Sequence, residues 1–225
     1  MKLTDDAWTL WSKTLHAPSS ASYSCDAIYG TPMEPHSSLW CASLVVPFQL
    51  REPFTILDWG CGDGRLFNFL SGRFRDFRYY GLERPGEFGT RCVARARQFF
   101  GHDPRAIFDV YDTATEVTAL AEAAFVVMGS VATHVPIEQF AAILLRLRVP
   151  LARGGALAAS CFIEETPRLL NRRAYGHDDC YGYVSYTRGQ LDDACARQGL
   201  LLKICDTFVA SDGSLHQMLK ITASP

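Results

Sequence analysis

Two rhythms of apolar and polar residues run along the chain from residue 54. Short apolar runs, FTILD (54–58), FRYYGLE (77–83), AIFDVYD (106–112), AFVVMGS (124–130) and GGALAASCF (154–162), have the length and composition of β-strands. The fourth is apolar enough for a strand covered on both faces. Between them the period lengthens. A helix begins over Arg65–Leu70. Phe88, Cys92, Val93, Ala96 and Phe99 recur at helical spacing, as do Ile137, Phe140, Leu144 and Leu147 between an opening Pro136 and a closing Pro150. Residues 163–186 are polar and aromatic without a clear period, and so long a stretch inside a compact domain marks a functional segment.

Thr187 and Gln190 then form a T-x-x-Q capping box, with Tyr186 and Leu191 as its hydrophobic staple. Leu191, Ala194 and Cys195 face inward, and Gly199 stops the helix. LLKICDTFVA, the turn SDGS and HQMLKIT predict a closing β-hairpin. Strands alternating with helices predict an α/β, doubly wound, mostly parallel sheet with helices on both faces. The C-terminal hairpin is antiparallel, with the final strand toward one edge.

Residues 1–53 are less regular. TDDAWTLWSKTL predicts a short helix with Trp8, Trp11 and Leu15 on one face, APSSASYSCDAIYGTP a loop, and HSSLWCASLVVPF a helix ending before Pro47. The expected organisation is an N-terminal helical and loop segment over 1–53 followed by a domain over 54–225.

Composition narrows the class. The 225 residues are 48% hydrophobic and 20% charged, which suits one globular domain. A net charge of −2 leaves no basic face of the kind that grips a phosphate backbone, so nucleic acid is not the expected partner. The 8 cysteines show no CxxC pair, and no Cys/His cluster has zinc-ligand spacing, so no metal is expected. Cys92, Cys161 and Cys195 fall in apolar patterns, where a free thiol acts as a small hydrophobe. A reduced, cytoplasmic protein is expected. MKLTDDAWTLWSK does not read as a signal peptide. No window approaches the roughly 20 apolar residues that span a bilayer, so no membrane is expected.

The chemistry concentrates in ILDWGCGDGRLF (56–67). Gly60, Gly62 and Gly64 let the backbone turn sharply and approach a ligand, and the following helix aims free N–H groups at it. A nicotinamide fingerprint, G-x-G-x-x-G, would need glycine at Arg65 or at Phe67, and the GK[ST] of a phosphate-binding loop is absent. Asp58, just ahead of the turn, repels a pyrophosphate but suits a cationic ligand. S-adenosylmethionine (SAM) carries a sulfonium and an ammonium and no phosphate.

LDWGCGDG (57–64) resembles the first motif of the class I, Rossmann-like SAM-dependent methyltransferases, and the likeness extends from about residue 54 to the end. The resemblance implies that Glu83, closing YYGLE, binds the ribose hydroxyls, and that Asp112, closing VYD, lies near the adenine amine. Asp109 competes with Asp112 for the adenine position. GSVATHVP (129–136) would line the cofactor pocket, and LARGGAL (151–157) repeats a Leu-x-x-Gly-Gly-x-Leu pattern found before the fifth strand. The implied cofactor site is Asp58, Gly60, Cys61 and Gly62, then Glu83 and Arg84, Asp112 and Thr113, and Gly129 and Ser130. The departure is Val126, where the family often carries an acid.

Methyl transfer is an in-line displacement, so the protein mainly positions the partners, and a base is needed only for a protonated acceptor. His134, just beyond the fourth strand, is a candidate base or a wall of the cofactor pocket. His177, with Asp178 and Asp179, is a second candidate base or metal-binding group. Tyr175, Tyr181 and Tyr183 offer apolar faces with polar tips to an acceptor, and Tyr183 is also a catalytic candidate. CDAIYGTP resembles segments that fold as a lid in small-molecule methyltransferases, with Tyr23, Tyr29 and Trp40 as its contacts. The expected function is methylation of a small molecule. The alternatives are a nucleic-acid or protein target, for which SGRFRDFR (71–78) is the only hint, and a non-catalytic domain that binds SAM or its product S-adenosylhomocysteine (SAH).

Overall fold

A computed structural model of the chain describes residues 35–166, 169–170, 183–209 and 215–224. The predicted first helix, the SDGS turn, Tyr23, Tyr29, Tyr175, His177 and Tyr181 lie outside these residues.

The sheet is built on β1 (Phe54–Trp59), flanked in parallel by β2 (Phe77–Glu83) and β4 (Phe125–Met128). β3 (Ala106–Val110) pairs outside β2, and β5 (Ala156–Ile163) outside β4, again in parallel. β9 (Leu215–Ala223) then runs antiparallel to β5, and β8 (Leu200–Val209) runs antiparallel to β9. The final strand therefore lies between β5 and β8 rather than at the border, which β8 takes. β5 changes partner along its length. Ala156–Cys161 face β9, whereas Phe162 and Ile163 pair in parallel with β7 (Tyr183–Tyr186), which also carries the short β6 (Leu169–Leu170). The stretch without a period thus returns to the sheet as an added strand.

Helices α1 (Pro35–Val45), α2 (Arg65–Ser71) and α3 (Glu87–Phe100) cover one face, and α4 (Ala114–Glu122), α5 (Ile137–Ala152) and α6 (Arg188–Ala196) the other. Alternate residues of β1 divide between the two cores: Phe54 and Ile56 join the α1–α3 side, Leu57 and Trp59 the α4–α6 side. None of the described helices is long and apolar enough to cross a membrane.

Several local expectations shift. The apolar pattern carries no sign of α4, whose buried residues are only Glu116 and Ala119. Its Thr113 cap nevertheless accepts from the Glu116 N–H. Pro150 lies inside α5, which runs on to Ala152; a proline this close to the end costs only one of the last backbone bonds. β3 stops at Val110, before Tyr111 and Asp112. The α6 capping box forms as the sequence predicts: Gln190 N donates to Thr187 Oγ1 at 3.1 Å and Thr187 N to Gln190 Oε1 at 2.9 Å.

Candidate functional site

β1 delivers the chain into the glycine turn, and β2 holds the turn in place. The N–H groups of Gly60 and Cys61 both donate to the Leu82 carbonyl, at 2.7 and 3.0 Å. Gly60 and Gly62 are left-handed, with φ of 88° and 53°. Their surroundings differ. A Cβ on Gly60 would collide with Val131 Cγ2, whereas one on Gly62 would meet nothing within 4 Å. Gly60 is therefore required by packing, and Gly62 borders open space.

Gly62 also lines a cavity of about 390 Å³ at the carboxyl ends of the parallel strands. Three buried acids line it: Asp58, Asp63 and Glu83. Glu83 Oε2 accepts from Gly62 N at 2.9 Å, and Oε1 from Arg84 N at 2.8 Å. Asp58 Oδ2 accepts from the Tyr79 hydroxyl at 2.6 Å. Burial pushes the Asp58 carboxyl up to about 7, opposed by the Tyr79 bond and reinforced by the charge of Glu83. Burial also raises Glu83, held back by its two backbone donors. Among the described residues, neither Asp58 nor Glu83 forms an ion pair.

Gly60, Cys61, Gly62 and Arg84 line this cavity with the three acids. Gly129, Ser130 and His134 line it from the segment after β4, and Trp40 from α1. The segment after β4 is pinned from two strands. Ser130, at φ 60°, donates from its N–H to Ser160 Oγ of β5 at 2.8 Å. The Tyr186 hydroxyl of β7 lies 2.6 Å from the carbonyl oxygens of both Ala132 and Val135, on either side of His134. From α1, Cys41 and Leu44 join Trp40 at the cavity, and Trp40 meets Phe208 and His216 edge-on at 5.2 and 5.0 Å. Burial raises the Cys41 thiol to about 12, so it enters as a small apolar group.

Asp112 and Thr113 are not brought to the cavity. Asp112 sits at φ 63°, its side chain is 72% exposed, and it pairs with Arg146 at 2.9 Å. The left-handed turn after the shortened β3 rotates its carboxylate outward. The Thr113 hydroxyl donates to the Val110 carbonyl at 3.0 Å. Asp109 is occupied by Thr115 and Arg97. Tyr183 is placed on β7, opposite Leu170. No group of three or more His, Cys, Asp or Glu able to hold a metal occurs among the described residues.

No family model and no curated protein matches the chain. Solved structures do. Magnesium protoporphyrin IX methyltransferase (ChlM) from Synechocystis PCC 6803, with SAM bound, is 16% identical with a TM-score of 0.55; the match covers 99% of this chain and 98% of that one. The 1,6-didemethyltoxoflavin-N1-methyltransferase of Burkholderia thailandensis, holding 1,6-didemethyltoxoflavin and SAH, is 14% identical with a TM-score of 0.61, covering 85% and 80%. TnmH is 18% identical with a TM-score of 0.57; the match covers 84% of this chain but 55% of TnmH.

The fold is that of the class I methyltransferases. Open α/β sheets take ligands outside the carboxyl ends of their strands, and in this methyltransferase fold the cavity lies there. Some of its lining was not legible in the sequence. Tyr111 follows β3, Arg65 follows the glycine turn, Phe88 opens α3, and Gln139 and Ile143 are one turn apart on α5. Only Arg65 stands beside a recognisable motif. The others are brought in by tertiary folding and carry no local signal.

Proposed function

We propose that the chain is a SAM-dependent methyltransferase acting on a small-molecule acceptor. The observation that carries this reading is the pair of buried acids, Asp58 and Glu83, that line the cavity together with Gly62, neither of them in an ion pair among the described residues. Among the described lining residues the three acids Asp58, Asp63 and Glu83 outnumber the two cations Arg65 and Arg84, a balance that suits a cationic nucleoside better than a dinucleotide's pyrophosphate. Its volume, about 390 Å³, falls within the roughly 300–1,000 Å³ usual for small-ligand sites. Neighbours of the same fold were solved with SAM or SAH bound, and one of them also with 1,6-didemethyltoxoflavin.

When bound, SAM supplies an electrophilic methyl group on a sulfonium. The residues of the chain hold and align the reactants. Glu83 keeps lone pairs beyond its two backbone bonds and accepts from the ribose hydroxyls. Asp58 faces the ammonium, and the Gly60–Gly62 backbone lies against the ligand without side chains intervening. Trp40 and Leu44 contact the acceptor from α1. His134 is positioned by the Tyr186 anchor to take a proton from an acceptor that carries one, or to bound the pocket beside it. Gly129 and Ser130 complete the cofactor wall.

Calorimetric titration with SAM, SAH and NAD tests the cofactor. SAM and SAH should bind and NAD should not; binding of NAD alone overturns the reading. Transfer of label from methyl-labelled SAM into a small-molecule library, set against RNA and protein targets, tests the acceptor. Tight SAH binding without transfer to any of them would favour a non-catalytic binding domain.

A further inference from the structure

β3 ends at Val110, and the chain leaves it under close control. Tyr111 N donates to the Glu83 carbonyl at 3.0 Å, and Asp112 then turns through the left-handed region. The turn sends the Asp112 carboxylate outward and leaves Tyr111 facing the cavity. The Tyr111 hydroxyl lies 4.0 Å from where a Cβ of Gly60 would stand, so it overhangs the glycine turn. Its ring stacks on Trp59, with centroids 4.3 Å apart and planes at 22°.

Arg146 of α5 ties these features together from outside the cavity. Its Nη2 bonds both carboxylate oxygens of Glu116, at 2.6 and 2.7 Å, and Asp112 Oδ1 at 2.9 Å. Glu116 is 4% exposed, and its Oε2 also accepts from Asp112 N at 2.6 Å. The same guanidinium lies 5.3 Å from the Trp59 ring centroid and 6.0 Å from that of Tyr111. One cation therefore holds the acids that set the turn and lies near both the Tyr111 ring that the turn positions and the Trp59 ring on which it stacks. A lysine ammonium lacks the flat, forked geometry to do both.

We propose that Tyr111 is the base-facing wall of the cofactor site, and that Arg146 is the positioning residue that holds it there. This rests on the cofactor reading above. If Glu83 takes the ribose hydroxyls, the base lies beside it, and Tyr111 is the aromatic residue whose backbone is bonded to the Glu83 carbonyl. A flat purine gains from a fixed ring face, and no carboxylate of the β3 turn points there to read its amine.

The test is SAH affinity by calorimetry together with Tm, for the wild type, Arg146→Met, Arg146→Lys, Tyr111→Ala and the double variant Arg146→Met/Tyr111→Ala. Tyr111→Ala and Arg146→Met should each weaken binding about tenfold, and Arg146→Lys several-fold although the charge is kept. Because Arg146 acts through Tyr111, the double variant should bind within about twofold of Tyr111→Ala alone, the non-additivity expected of coupled residues. Loss of Tm with unchanged affinity in Arg146→Met, or two losses that simply multiply, would overturn the proposal. Should Arg146→Met not fold, Arg146→Lys decides: wild-type affinity refutes the positioning role. A wild type that does not bind SAH sinks the cofactor reading and this proposal together, whereas a binding wild type with unaffected variants sinks this proposal alone.

Discussion

The Tyr79 hydroxyl donates to Asp58 Oδ2 across 2.6 Å from the core behind the cavity wall, and it is the one hydrogen bond that the Asp58 carboxyl receives among the described residues. That single bond does not offset the burial, which leaves the Asp58 carboxyl near neutrality. The consequence is a pH dependence with a definite sign. Asp58 is raised to about 7 in the folded chain, against about 3.9 when unfolded. Between those values the folded state holds a proton that the unfolded state has lost, so stability falls as pH rises through that window and levels above about 7. Asp58→Asn should remove this slope. Thermal unfolding at pH 5 and pH 8 should show the Asp58→Asn variant gaining on the wild type at the higher pH; parallel curves would show that Asp58 does not titrate there.

Affinity for a cationic ligand should run the other way. An ionised Asp58 favours the ammonium of SAM, so binding strengthens as pH rises toward 7 and then levels. Tyr79→Phe removes the donor that favours the charged form and should move this rise to higher pH. SAH titrations at several pH values would locate the midpoint, and a midpoint unchanged by Tyr79→Phe would assign the proton to another group.

Glu83 serves the turn and the ligand at once. Glu83→Ala removes the acceptor of the Gly62 and Arg84 N–H groups as well as the proposed ribose contacts. SAH binding should weaken by about 1–3 kcal/mol. Gly62 lines the cavity, where water can replace the lost acceptor, so the loss of Tm should be small. Undiminished SAH affinity would place the ribose elsewhere.

Thr187→Ala separates stability from the site. The capping box closes the first turn of α6, and neither Thr187 nor Gln190 lines the cavity. The substitution should cost about 1 kcal/mol of stability, read from denaturant unfolding, without altering SAH affinity. A comparable loss of affinity would show that the segment around His134 feels α6 through Tyr186.

How far the sequence speaks depends on how local the cause is. β1, β2, β4 and β5 are legible because their apolar runs end at glycines or polar residues, and the Thr187 cap because it is a four-residue pattern. α4 is not, since its inward face is little more than Ala119 and a glutamate bonded to Arg146. The end of β3 is obscured because Tyr111 and Asp112 continue the run, while the left-handed turn that separates them is set by Glu116 and Arg146 at a distance. In the site, Asp58, the glycines and Glu83 belong to two adjoining strand ends and can be read in order. Tyr111, Leu44 and Gln139 arrive from three separate elements, and no spacing announces them.

The two glycines at the heart of the turn should fail in different ways. Gly60 and Gly62 are both left-handed, so any side chain costs about 1–2 kcal/mol of backbone strain at either position. Only Gly60 also meets a wall, Val131 Cγ2. Gly60→Ala should therefore lower Tm more than Gly62→Ala, and Val131→Ala, which removes the obstructing methyl group, should restore part of the difference. Gly62→Val projects into open space, so the chain should fold with a modest loss of Tm, and Val131→Ala should not improve it. Its branched side chain would instead occupy the room that the ligand needs, and SAH binding should be abolished. Differential scanning fluorimetry and calorimetry on the same proteins read both effects. A Gly62→Val protein that binds SAH as tightly as the wild type would mean that the open space beside Gly62 is not where the ligand lies.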